Sequence, residues 1–133
     1  MKASEFRIWN IVKCPAHNSD YSEITELTQD SFSCRSFRNG DVLTEGSYDL
    51  SLIEQIPLTE EWLINFRLKR KDEDHFYLKE DDHQILVDIN TFDVVLDFRE
   101  EGYYVTVKHD LKYVHKLQNF YFELNETELE LRQ

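Results

Sequence analysis

Histidine stands beside a carboxylate three times, at Asp74-His75, Asp82-His83 and His109-Asp110, and the chain holds two thiols, Cys14 and Cys34. Imidazole, carboxylate and thiolate are the donors of zinc-type sites. Their spacing does not assemble one: the cysteines lack a Cys-x-x-Cys arrangement, and the aspartate-rich run lacks the Gly and terminal Glu of a calcium loop. Paired carboxylates occur at Asp72/Asp74, Asp81/Asp82, Glu60/Glu61 and Glu100/Glu101. Acid–base work needs burial to push two such groups apart in pKa. All four pairs lie in polar runs and read as solvated turns or a helix start. No Gly-x-Ser-x-Gly, glycine-rich phosphate loop or His-Glu-x-x-His is present. The residues therefore point to no enzyme, no cofactor and no metal. Mid-helix Gln118-Asn119 reads as an amide pair that hydrogen-bonds a neighbouring strand end, and His115 as a helix-surface or capping residue.

Charge is the more informative feature. The 133 residues carry 15 Lys+Arg against 27 Asp+Glu, a formal charge of -12. Sequence-independent binding to a phosphate backbone needs the opposite sign. A basic knot, Arg67, Lys69, Arg70 and Lys71, is followed by Asp72, Glu73, Asp74, Glu80, Asp81, Asp82, Asp88, Asp93, Asp97, Glu100 and Glu101. Asp88, Asp93 and Asp97 alternate with apolar residues and are expected on the outer face of a sheet. Such a face either keeps a sheet soluble or docks on a basic protein groove, where opposite potentials steer association. The knot offers a phosphate or RNA contact, and Trp9, Tyr103 and Tyr104 are candidate aromatic anchors.

The elements that position these residues follow from composition and periodicity. Apolar residues make up 41%, with 3 Gly and 2 Pro, which suits one globular domain. Its expected division is an N-terminal β part over 1–55 and a second part over 56–133, in which a helix, a meander and a C-terminal helix share the core. Period-two alternation predicts a strand over 6–13, sided by Ile8 and Val12, then short strands at 24–27 and 32–37 in a small barrel or curled sheet. Asn39-Gly40 marks a turn. Thr59 is an N-cap, with Glu60 and Glu61 in the first turn of a helix over 60–67. Runs at 75–79, 84–89, 92–98 and 103–108 read as an antiparallel meander. Tyr113, Val114, Leu117, Phe120, Tyr121 and Leu124 give the C-terminal helix an apolar face to cover the sheet. A short strand is expected at 128–131. The fold class is α+β. No apolar run approaches the length of a membrane span, and the N-terminal residues show no secretory signal, so a cytoplasmic protein with reduced cysteines is expected.

Three blocks in this order carry a resemblance: Phe6-Arg7-Ile8-Trp9-Asn10, Ile56-Pro57-Leu58-Thr59-Glu60-Glu61-Trp62-Leu63, and Tyr113 through Phe122 followed by Glu128-Leu129. Together they resemble a family of small uncharacterised proteins found in phages and prophages of Bacteroidetes, with a Leu-Arg-Ile-Gly-Asn strand and a Tyr-Val-His-x-Leu-Gln-Asn-x-Tyr-Phe helix. The chain departs from the pattern at two glycines, which are Trp9 and Arg67 here. The resemblance implies a phage or mobile-element origin and action in the cytoplasm of a bacterial host.

The expectation is a non-catalytic, phage-encoded protein that binds and inhibits a host nucleic-acid-handling defence enzyme. The concrete version is an anti-CRISPR-type inhibitor of an RNA-guided nuclease, bound with or without its guide RNA through an acidic surface. One alternative is a phage structural or housekeeping protein. Another is a nucleic-acid-binding module using residues 67–71.

Overall fold

The computed structural model describes residues 2–80, 83–98, 103–107 and 111–131, with Val105 the one described side chain of 103–107. Its elements run β1 (Ile11–Val12), β2 (Tyr21–Leu27), β3 (Ser31–Arg38), β4 (Asp41–Asp49), α1 (Glu60–Asn65), β5 (Lys69–Arg70), β6 (His75–Lys79), β7 (Gln84–Asp88), β8 (Val94–Phe98), β9 (Tyr103–Val107) and α2 (Val114–Asn125). The chain divides into two compact units. One comprises Met1–Pro57 with Tyr113–Glu128, the other Leu58–Lys112 with Leu129–Arg132. Mixed antiparallel sheets and helices make the α+β class plain.

The first unit carries an antiparallel sheet in the order β1-β2-β3-β4. Alternation sorts its faces: Ser22 and Ile24 of β2 and Phe32, Cys34 and Ser36 of β3 point inward. They pack with Phe6, Val12, Cys14, Leu50 and Ile53. The strands outrun the expected short segments because Asn39 and Gly40 sit at φ 53° and 83° and turn β3 directly into β4. After β4, residues 50–52 form a 3₁₀ turn capped by the Asp49 carboxylate, which accepts from the Ser51 amide. Lys13 and Glu54 then pair as an isolated antiparallel bridge.

The expected strand over 6–13 is corrected. Residues 3–5 form a 3₁₀ turn, Trp9 adopts φ 79°, and the strand is confined to Ile11–Val12. The positive φ breaks the alternation, so Ile8 faces solvent while Asn10 is fully buried.

The C-terminal helix α2 belongs to this first unit and not with the meander, so the expected grouping of 56–133 gives way to one in which the chain returns to the N-terminal sheet. Its buried stripe is Val114, His115, Leu117 and Gln118. His115 is 1% exposed and stacks near Phe6, centroids 4.7 Å apart, which replaces the surface role expected for it. Residues 128–131 form no strand.

The second unit is a five-stranded antiparallel meander in the order β5-β6-β7-β8-β9, preceded by α1. Thr59 caps α1, its hydroxyl accepting from the Trp62 amide. The helix stops short of the expected residue 67. Arg67 adopts φ 72°, and the Leu68 amide reaches back to the Leu63 carbonyl at 3.0 Å. That is a Schellman closure with Arg67 in the position usually given to glycine. Phe76, Ile85, Val87, Val94 and Leu96 bury one face of the meander.

Candidate functional site

The densest group of chemically capable side chains lies inside the first unit. Cys14 follows the Lys13–Glu54 bridge and opens a β-turn, Cys14-Pro15-Ala16-His17, closed by the His17 amide on the Cys14 carbonyl at 3.0 Å. Proline suits the second position of such a turn because its φ is already fixed. The turn brings Cys14 and His17 to one side, and β3 supplies Cys34. One donor atom from each of the three lies within 4.8 Å of the others. Cys14 and Cys34 are free thiols and fully enclosed, and His17 is 8% exposed.

Hydroxyls surround this group. The His17 ring bonds Ser36 Oγ through Nδ1 and the Tyr48 hydroxyl through Nε2. Ser36 also bonds Ser22 across the β2–β3 pair at 2.7 Å. The Tyr48 ring meets His17 edge-on at 5.1 Å. Gly46 makes room for it: a β-carbon there would stand 2.7 Å from the Tyr48 oxygen. Burial, reinforced by the neighbouring Cys14, pushes the Cys34 thiol up to about 11. Cys34 is therefore a poor nucleophile at neutral pH. The chain has no Cys-x-x-Cys, and the one local signal of this cluster is Cys14-x-x-His17 around a proline.

A second arrangement joins the two ends of the chain. Gln118 accepts the Ile11 amide on Oε1 at 2.7 Å and donates to the Trp9 carbonyl at 3.2 Å. Asn119 Oδ1 accepts from Asn10 Nδ2 at 2.7 Å and from Arg7 Nε at 3.2 Å. Arg7 then grips Glu128 with both terminal nitrogens, at 2.6 and 3.0 Å, and lies over the Phe122 ring. The amide pair thus has the structural role expected of it.

The acidic residues do not form one sheet face. Asp72, Glu73 and Asp74 are exposed in the β5–β6 turn and Asp93 in the β7–β8 turn, while Asp88 and Glu80 are half-buried. Asn90 Nδ2 donates to Asp74 and the Ile89 amide to the Asp74 carbonyl, which ties the two turns together. His75 lies between carboxylates, Nδ1 at 2.9 Å from Asp72 and Nε2 at 4.0 Å from Asp88. Hydrogen bonds from His75 and from the Asp74 amide hold the Asp72 carboxyl below its ordinary range. Asp97 corrects the expectation. It sits on interior strand β8, between Gln84 of β7 and Tyr104 of β9, and is 1% exposed, so it belongs to no outer surface. Asp81, Asp82, Glu100 and Glu101 lie outside the described residues, as do the side chains of Tyr103 and Tyr104.

The basic knot is also divided. Arg67, Lys69 and Lys71 are exposed, but Arg70 pairs with Glu60 at 2.8 Å, donates to the Asp72 and Glu73 carbonyls and lies over Phe76. Arg70 is thereby engaged in holding its own turn. Trp9 is 49% exposed, with its backbone fixed by Ile24 and Gln118. No helix among the described residues is long and apolar enough to cross a membrane. Compared with protein-family models, curated proteins and solved structures, the chain matches none.

Proposed function

We propose that this is a non-catalytic, phage-encoded interaction protein that docks on a basic partner in the host cytoplasm, concretely an anti-CRISPR-type inhibitor of an RNA-guided nuclease. One observation carries the docking: β4 is nine residues long, lies at the end of its sheet, and exposes most of its length. An open strand edge is a template for an added strand. This edge carries Asp41, Glu45 and Asp49, with Val42 and Leu43 exposed between them. A second copy is a poor occupant. Full antiparallel overlap about Glu45 sets Glu45 against Glu45 and Asp41 against Asp49, and like charges directly opposite are destabilising. The occupant is an extended, basic segment of the partner protein. The net charge of -12 adds to the field that steers it. Part of the same reading is that the first sheet is curled, its β1 side continued by the Lys13–Glu54 bridge, while β4 stays open as an edge.

The test is target cleavage by purified, guide-loaded nucleases of a Bacteroidetes host, titrated with the protein. The wild type should suppress cleavage, and the Asp41→Lys/Glu45→Lys variant should need at least about tenfold more protein for the same effect, the equivalent of about 1.4 kcal/mol of docking energy. Circular dichroism checks that the variant is folded. Cleavage untouched by folded wild-type protein would overturn the inhibitor reading. Equal potency of the folded variant would overturn docking at β4. Asp97→Lys is unsuited to such a test, since it buries an ammonium group in an interior strand.

A further inference from the structure

Independently of the docking reading, we propose that Cys14, His17 and Cys34 bind a borderline divalent cation of the zinc type, with three protein ligands and a fourth position open. Their donor atoms lie within 4.8 Å of one another. A tetrahedral site with Zn–S of about 2.3 Å and Zn–N of about 2.0 Å brings such atoms somewhat closer. Small side-chain rotations cover the difference.

The donor set selects the metal class. Two sulfurs and an imidazole suit zinc, whereas magnesium and calcium take oxygen ligands. Charge balance supports the same class. The two thiols lie in the apolar core beside Ile24 and Phe32, where an isolated ion is costly. A divalent cation with two thiolates and a neutral imidazole carries no net charge. Binding then reads as one M²⁺ plus two Cys–SH giving a dithiolate complex and two released protons, with no change of oxidation state.

The scaffold is already in place. Pro15 and the His17–Cys14 hydrogen bond set the turn, and Cys34 is held on interior strand β3 between Ile24 and Gly46. Each ring nitrogen of His17 meets a hydroxyl. Coordination through either nitrogen leaves the other bonded to Ser36 or Tyr48, the outer-shell contact that orients a ligating histidine.

The experiment titrates fully reduced, metal-free protein with Co²⁺ and follows the ultraviolet thiolate-to-cobalt charge-transfer band and the visible ligand-field bands. The expected result is saturation at one Co²⁺ per chain with tetrahedral-type visible bands, reversed by Zn²⁺. Cys34→Ser should weaken the charge-transfer band and lower affinity at least about 100-fold, and whichever of Ser36→Ala and Tyr48→Phe removes the hydroxyl on the non-ligating nitrogen should weaken binding about tenfold without changing the spectrum. Reduced, folded wild-type protein without a thiolate band at stoichiometric Co²⁺ would overturn the assignment. So would a band of full strength in folded Cys34→Ser. The wild-type spectrum decides the matter even if a variant does not fold.

Discussion

Gln118 supplies the Ile11 amide with its hydrogen-bond acceptor across 107 positions of sequence, at 2.7 Å. β1 has β2 on one side, where Ile11 lies opposite Glu23. On its other side a side-chain amide from α2 does what a strand would do. Its NH2 group simultaneously holds the Trp9 carbonyl, so one residue satisfies both a donor and an acceptor of a backbone segment that includes a left-handed residue.

Replacing Gln118 with leucine keeps volume but removes both partners. A buried amide left without an acceptor costs roughly 1–3 kcal/mol. The expected loss is about 2 kcal/mol of unfolding free energy, measured as a lower urea midpoint at unchanged slope. A midpoint within error of wild type would show that water or a rearranged β1 replaces the amide.

Arg67 sits at φ 72° in the closing turn of α1. A left-handed conformation costs an ordinary L-residue roughly 1–2 kcal/mol, while glycine adopts it freely but loses more chain entropy on folding. The Arg67 side chain is exposed, so little packing opposes the change. Arg67→Gly should raise stability by about 0.5–1 kcal/mol, and Arg67→Ala should not. Thermal denaturation of the three proteins side by side checks this. Trp9 is in the same conformation at φ 79°.

His115 should make the fold acid-sensitive. Burial, aided by the neighbouring Lys116 charge, lowers its pKa from 6.5 to about 4, and neither ring nitrogen has a hydrogen-bond partner among the described residues. The unfolded chain takes up the proton near pH 6.5 and the folded chain only near pH 4. Stability from the neutral ring is therefore complete above that window and is lost as pH falls through it. Between about pH 7 and about pH 5 the loss should be on the order of 2 kcal/mol. His115→Phe should remove that slope while leaving the carboxylate-driven loss at lower pH. Equal slopes in urea titrations of the two proteins would refute the assignment.

Much of the architecture was legible in the sequence. Asn39-Gly40, the Thr59 cap and the meander runs were visible because turn chemistry and alternation are local. Asp97 was misplaced because alternation says which residues share a face, not whether that face meets water. Ile8 was misplaced because a left-handed Trp9 resets the alternation, and no single-residue propensity announces that. The Cys14–His17–Cys34 cluster joins a turn to a strand 17 residues beyond His17. Tertiary pairing brings them together, and spacing alone did not show it.

The division of the chain has a consequence for biosynthesis. The first sheet leaves the ribosome early, but the Arg7 guanidinium, the Asn10 side-chain NH2 and the Ile11 amide have partners in residues 128, 119 and 118. The whole 58–112 segment must be made in between. Contacts of such long sequence separation slow folding. During synthesis the N-terminal sheet must wait with its Ile11 edge unsatisfied, and the final helix acts as the latch that ends this vulnerable interval.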